Sequence, residues 1–104
     1  MGILVICSYK PKPGREIEAL RLMSEHVPLL RSYRLVTERP LVQGLTKDGA
    51  MMEIFEWADE EKSRSAPTIA EIGAHWKAMS EVMDFVPLAS LPEAQRSFAH
   101  FMPL

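Results

Sequence analysis

Two of the three histidines, His26 and His75, fall inside helical patterns beside apolar residues. An imidazole works as acid and as base near neutral pH. His26 sits at the edge of the apolar arc of one helix, and His75 flanks the core stripe of another. Two helices on one sheet face bring such groups together, so His26 and His75 are the candidate catalytic residues. The plainer alternative makes each a capped histidine beside the core. Glu71 lies four residues before His75, a spacing that suits joint metal ligation. No third ligand is fixed by spacing, so no metal is expected. Phe55, Trp57, Trp76, Tyr9 and Tyr33 are the aromatic side chains that could wall a pocket for a planar molecule. The same residues also suit a small core. Trp76 lies mid-stripe, whereas Trp57 and Tyr33 lie near element ends and are the better pocket candidates.

Other chemistries find little support. Cys7 sits mid-strand, where a thiol is usually buried and inert. Ser8 lacks a nucleophile-elbow context. The five glycines are isolated, so no loop is shaped to cradle phosphate and no cofactor is expected. A single cysteine excludes an internal disulfide and a Cys-rich zinc site.

The elements that must position these groups follow from periodicity. Ile3 to Tyr9 reads as a strand with Ile3, Val5, Cys7 and Tyr9 on one face and Leu4, Ile6 and Ser8 on the other. Both faces are largely apolar, so cover is expected on both sides. Arg15 to about Tyr33 reads as a helix, its body near residues 15–31, with a core stripe of Ile17, Leu20, Met23, Val27 and Leu30, beside a second stripe of Leu22, His26, Leu29 and Tyr33. So wide an arc suggests a subunit contact or a cavity wall. Pro28 should kink this helix or end its regular part near Val27.

Leu35 to Leu45 is a weaker strand, and Pro40 argues for an edge or a bulge in it. Thr46-Lys47-Asp48-Gly49 is a hairpin signal, so Ala50 to Ala58 should pair antiparallel with the strand before it. Residues 59–62 form a charged break. A second helix spans 68–84 with Ile69, Ile72, Trp76, Met79 and Met83 as its stripe. Phe85 to Leu91 is an edge strand at best. Pro92 to Arg96 looks like a helical turn, and residues 92–104 form a C-terminal arm or an extra strand.

The order β-α-β-β-α-β predicts an α+β fold of ferredoxin-like type: one antiparallel sheet with two helices on one face. At 104 residues, one domain over 1–104 is expected. Hydrophobic residues are 47% and charged residues 25%, which excludes a disordered chain. With net charge −2 and basic residues scattered among acidic ones, no nucleic-acid footprint is present. The apolar start is too short for a membrane span and lacks the marks of a signal peptide, so no membrane partner and a cytoplasmic location are expected. A strand apolar on both faces, with helices to cover only one, predicts a homodimer with sheet facing sheet.

Three stretches carry a family resemblance. Strand one passes through Lys12-Pro13-Gly14 into a helix opening Arg15-Glu16. That helix ends His26-Val27-Pro28-Leu29-Leu30-Arg31. The third strand ends Phe55-Glu56-Trp57-Ala58-Asp59-Glu60-Glu61. Over roughly residues 3–90 the chain resembles the dimeric α/β-barrel proteins, near the antibiotic biosynthesis monooxygenase-like family. The resemblance implies a homodimer whose two sheets form a barrel, and a pocket in each subunit between sheet and helices. It also implies a cofactor-independent monooxygenase-like activity on a small aromatic or polyketide-like molecule. His26 and His75 would then be catalytic, with Tyr33, Phe55, Trp57 and Trp76 binding substrate. A non-catalytic small-molecule-binding or stress-related dimeric module is the alternative. Relatives carry a glycine after helix one, where this chain has Ser32-Tyr33-Arg34. Haem-degrading members have an Asn on strand one and space a Trp and a His differently from the adjacent His75-Trp76, so haem degradation is not implied.

Overall fold

A single carboxylate stands among apolar neighbours on the inner face of the third strand, and the elements around it explain how it is held. The computed structural model describes residues 2–104; Met1, the first residue of the expected 1–104 domain, lies outside the described residues. Strand β1 (Ile3–Pro11) leads into helix α1 (Glu16–Ser32), followed by β2 (Val42–Leu45) and β3 (Met51–Trp57). Helix α2 (Glu60–Ser65) and a 3-10 turn at Ala66–Thr68 precede α3 (Ala70–Val82), which runs straight into β4 (Met83–Val86). Two further 3-10 turns and a short β5 (Met102–Pro103) complete the chain.

The protein is α+β, with a five-stranded antiparallel sheet in the order β4-β1-β3-β2-β5. The β-α-β-β-α-β order is present, and the final Met102–Pro103 pair adds the fifth strand beside β2. No helix among the described residues is long and apolar enough to cross a membrane.

The hairpin forms as Asp-Gly indicates. Gly49 takes φ +89, where a Cβ would be strained, and Thr46 closes the turn by accepting from the Gly49 amide and donating its own amide to Ala50. Thr46 is buried, and its hydroxyl receives the Ala50 amide at 2.9 Å and bonds the Asp48 carboxylate. That hydroxyl, ahead of Lys10, holds the Asp48 carboxyl below its ordinary range.

Several expectations need correction. The expected strand over 35–45 is split. Val36 bridges Trp57 and β2 resumes only at Val42, opposite Ile54. Five residues thus lie between Val36 and Val42, where two lie between Ile54 and Trp57. The surplus bulges out around Pro40, where Arg31 donates to the Thr37 and Arg39 carbonyls. Residues 59–62 are more than a break. The Asp59 side chain accepts the Lys62 amide at 2.8 Å, an N-cap that starts α2 with Glu60 and Glu61 in its first turn. The fold therefore has a third helix. The 3-10 turn starts at Ala66 with Pro67 as its second residue, and α3 begins at Ala70.

Helix α1 passes Pro28 and continues to Ser32. Pro28 is exposed, so the unpaired Ser24 carbonyl faces water, where a lost backbone bond costs little. The buried stripe of α1 is Ala19, Leu22, Met23, His26, Val27 and Leu30. Ile17 is 88% exposed and Leu20 is 41% exposed, so these two stand outside the core the spacing assigned them.

The end of α1 explains the sequence Ser32-Tyr33-Arg34. The Leu35 amide bonds the Leu30 carbonyl at 3.1 Å, and the Arg34 amide bonds the Arg31 carbonyl at 2.9 Å. This is a Schellman cap, with buried Leu30 and Leu35 in one cluster beneath it. The motif needs a left-handed residue, and Arg34 supplies it at φ +57. A side chain there costs about 1–2 kcal/mol. Arg34→Gly relieves that strain but loosens the unfolded chain, so a net gain of ~0.5–1 kcal/mol is expected. The check is the urea midpoint, which should rise at unchanged slope.

Candidate functional site

Strand alternation places Glu53 on the helix side of the sheet with Met51, Phe55 and Trp57. Its side chain is fully buried. The register brings Cys7 of β1 opposite it on one side and Gln43 of β2 on the other, with Tyr9 one diagonal step away. Helix α1 lies across this face and lowers His26 onto the carboxylate.

Three donors converge on Glu53. Tyr9 donates its hydroxyl to Oε2 at 2.6 Å, and His26 Nδ1 meets the same oxygen at 2.6 Å. Gln43 Nε2 donates to Oε1 at 3.3 Å and shares its amide with the Met23 carbonyl. On the far side of the imidazole, the Trp76 indole donates to His26 Nε2 at 2.9 Å. The indole N–H is only a donor, so Nε2 must be the bare nitrogen of the ring. The proton therefore sits on Nδ1 and points at Glu53. Every group in the chain Tyr9–Glu53–His26–Trp76 thus has a defined role. No lysine or arginine takes part, so the carboxylate rests on hydrogen bonds rather than on a cation.

Burial first, then the Glu53 charge beside it, pushes the Tyr9 phenol far above its ordinary value. The phenol therefore keeps its proton and donates it to Glu53. Burial likewise raises the Cys7 thiol from 9.0 to about 11, which makes it a poor nucleophile.

His26, Tyr9 and Trp76 open onto a cavity of ≈ 410 Å³. Its apolar walls are Phe55, Trp57, Trp76, Met79, Phe85 and Leu88, with Cys7 and Ser8 on the β1 side. The opening arises because β4 pairs with β1 only from Ser8 to Pro11, and Pro87-Leu88 then leave the sheet. Ser8 Oγ is buried with no hydrogen-bond partner among the described residues, an arrangement that asks for a reason. A second space of ≈ 480 Å³ lies on the opposite sheet face under the C-terminal arm, lined by Ile6, Val42, Met52, Ile54, Phe101 and Met102 among others. Among the described residues it has no titratable lining side chain.

The residues singled out by spacing are distributed as follows. His26, Phe55, Trp57 and Trp76 meet at the cavity. Phe55 packs edge-on against both His26 and Trp57, at 5.6 and 5.4 Å. His75 stacks on His26 with ring centroids 6.2 Å apart, so α1 and α3 do bring the two histidines together. His75 is not among the cavity-lining residues, and its Nε2 bonds the Leu22 carbonyl at 2.9 Å. Tyr33 is exposed, outside the cavity lining, and donates to Glu71 at 2.6 Å. That bond holds its phenol above the ordinary value. No cluster of three metal-ligating side chains occurs among the described residues. Glu53 and Gln43 escaped sequence reasoning. The available signal was a glutamate standing between Met51 and Phe55 on the apolar face of a strand.

No protein-family model matches the chain, and no curated protein matches it in sequence. In structure the chain is similar to a conserved protein of unknown function from Bacteroides thetaiotaomicron, described as a possible oxidoreductase. The likeness has a TM-score of 0.69 over 82% of this chain and 90% of that one, at 10% identity. It is a likeness of fold.

Removing the Tyr9 hydroxyl leaves a buried charged acceptor short of one donor. Tyr9→Phe should therefore cost ~1.5–3 kcal/mol, the range for hydrogen bonds to charged groups. Tyr33→Phe removes an equally short bond in water and should leave the urea midpoint where it is. Equal midpoints for both variants would mean that the Glu53 network carries no stability.

Proposed function

We propose that the cavity is the active site of a small enzyme that removes a proton from an aromatic or polyketide-like molecule. The observation that carries this reading is the Glu53–His26 pair, with the bare His26 Nε2 at the cavity edge. Glu53 orients the ring through Nδ1–H and stabilises the imidazolium once Nε2 takes a proton. The aromatic walls suit a planar substrate. His75 stacks on His26 with ring centroids 6.2 Å apart and lies outside the cavity lining. The phenolate or enolate that results is electron-rich enough to give electrons to dioxygen. One oxygen atom then enters the substrate as a carbonyl, and the other leaves as water. This is the reaction type of the antibiotic biosynthesis monooxygenase-like proteins that the chain resembles. The description of the Bacteroides protein as a possible oxidoreductase is compatible with it.

The test is oxygen consumption, without added metal or flavin, over a panel of dihydroxy-aromatics. His26→Gln should lower turnover by about 10²-fold or more, the usual weight of a general base, with the circular dichroism spectrum unchanged. Unchanged turnover removes the assigned role. No oxygen use by the wild type, with ligand binding retained, favours a non-catalytic binding module, a reading to which the closed Trp76–His26 contact also lends itself.

A homodimer is part of the same proposal. On the sheet face away from the helices, Leu4, Ile6 and Val42 are 56%, 44% and 51% exposed, and the C-terminal arm covers only part of that face. An apolar patch of this kind is covered more readily by a second copy than by water. Sedimentation at micromolar concentration should give about twice 11.8 kDa. A persistent monomer would overturn the sheet-to-sheet assembly.

A further inference from the structure

The contact between Trp76 and His26 has a chemical asymmetry that selects a ligand. Nε1–H of Trp76 can only donate, and Nε2 of His26, as the structure orders it, can only accept. They meet at 2.9 Å at the cavity wall. Anything that enters between them must satisfy both, because each would otherwise be an unpaired polar group in an apolar enclosure. An ether, a ketone or a carboxylate only accepts, so inserting it would strand Nε2; such a ligand binds elsewhere in the cavity and leaves the Trp76–His26 contact closed. A hydroxyl does both at once. It donates O–H to Nε2 while its oxygen accepts from the indole.

We infer that Trp76 and His26 form a hydroxyl-insertion site, and that the cavity takes uncharged, weakly acidic hydroxyl compounds of phenol or enol type. The inference rests on the proposed base role of His26 and adds Trp76 as the group that holds the reacting oxygen. In the proton-transfer step the ligand O–H bond breaks and the Nε2–H bond forms. The electron pair stays on the ligand oxygen. That oxyanion then faces two donors, the indole N–H and the new imidazolium N–H, while Glu53 balances the imidazolium. The cavity's lining contains no lysine or arginine, so a ligand that arrives already anionic meets no cation and has the Glu53 charge close behind His26. Carboxylated aromatics are excluded on that ground.

The test uses three matched probes, 4-nitrophenol, 4-nitroanisole and 4-nitrobenzoate, at a pH low enough to keep the nitrophenol uncharged and the nitrobenzoate ionised, with calorimetry for affinity and the Trp76 indole N–H signal for geometry. The wild type should bind 4-nitrophenol about tenfold or more tighter than 4-nitroanisole, since leaving a buried acceptor unmade costs at least that much. Nitrobenzoate should bind no better than nitroanisole. Only nitrophenol should move the Trp76 indole signal, which is identified by its loss in Trp76→Phe. That variant keeps an aromatic ring and removes the donor, so nitrophenol affinity should fall about fivefold or more while nitroanisole stays within about twofold. Equal affinities for nitrophenol and nitroanisole in the wild type overturn the insertion site even if Trp76→Phe does not fold. So does nitrophenol binding that leaves the indole signal unmoved. Failure of all three probes to bind overturns the cavity as the ligand site, and the insertion site with it. Selective nitrophenol binding without any oxygen consumption supports the insertion site and counts against the oxygenase reading alone.

Discussion

Burial of one carboxylate without a cation is the constraint around which this small fold is arranged. Glu53 is fully enclosed on the middle strand of the sheet, and its donors come from every direction available to it. Tyr9 reaches from β1, Gln43 from β2 and His26 from α1, and Trp76 of α3 secures His26 from behind. An unpaired charge at this depth would cost several kcal/mol. The network is satisfied only if three strands keep their register and both long helices keep their places. Shifting β3 by one residue would turn Glu53 to the far face and bring Met52 and Ile54 inward. The apolar residues around the network would tolerate several packings. The polar groups tolerate far fewer.

The two faces of the sheet therefore do different work. The inner face combines a polar centre with aromatic walls, and it opens to a cavity where β4 stops short along β1. The outer face is apolar and is partly crossed by the C-terminal arm. Gly44 allows that crossing. A Cβ there would come within 3.1 Å of the Met102 carbonyl and 3.2 Å of Phe101. Met52 beneath is buried as a result, while Leu4 and Ile6 on β1 are left exposed. The polar network of one face is thus kept separate from the exposed apolar surface of the other.

Much of the fold was legible because local signals agreed with the tertiary outcome. Asp48-Gly49 fixed the hairpin, and the alternation of β3 sorted its faces as observed. Asp59 as an N-cap was also present in the sequence, but a run of charges masked it. The misplaced α1 stripe shows the limit of periodicity. At 100° per residue the arc holding Ile17 and Leu20 is as apolar as the arc holding Leu22 and His26. Only the position of the sheet decides between them, and α1 turns His26 inward because Glu53 lies beneath it. The split of 35–45 was hidden for a similar reason, since it depends on pairing with β3 and on Arg31 holding the bulge. His26 was legible as a candidate by its residue type. Its partner was not, because 27 residues separate it from Glu53 and no short motif spans that distance.

The proton arrangement connects stability to function. Tyr9 and His26 donate to Glu53, and Trp76 donates to His26. All donors point toward the carboxylate, so the carboxylate end of the chain is saturated. The lone pair of Nε2 is the one place where the network accepts a proton without breaking a bond to Glu53. The group covering that lone pair is an indole on a half-buried helix position facing a cavity, and an indole N–H is a weak acid with no charge. The contact at 2.6 Å to Glu53 fixes the imidazole from one side, and the indole contact at 2.9 Å, ordinary for N–H donating to nitrogen, covers its lone pair on the other. On the base role proposed for His26, this order of contacts lets the ring take and return a proton while Glu53 keeps it in place.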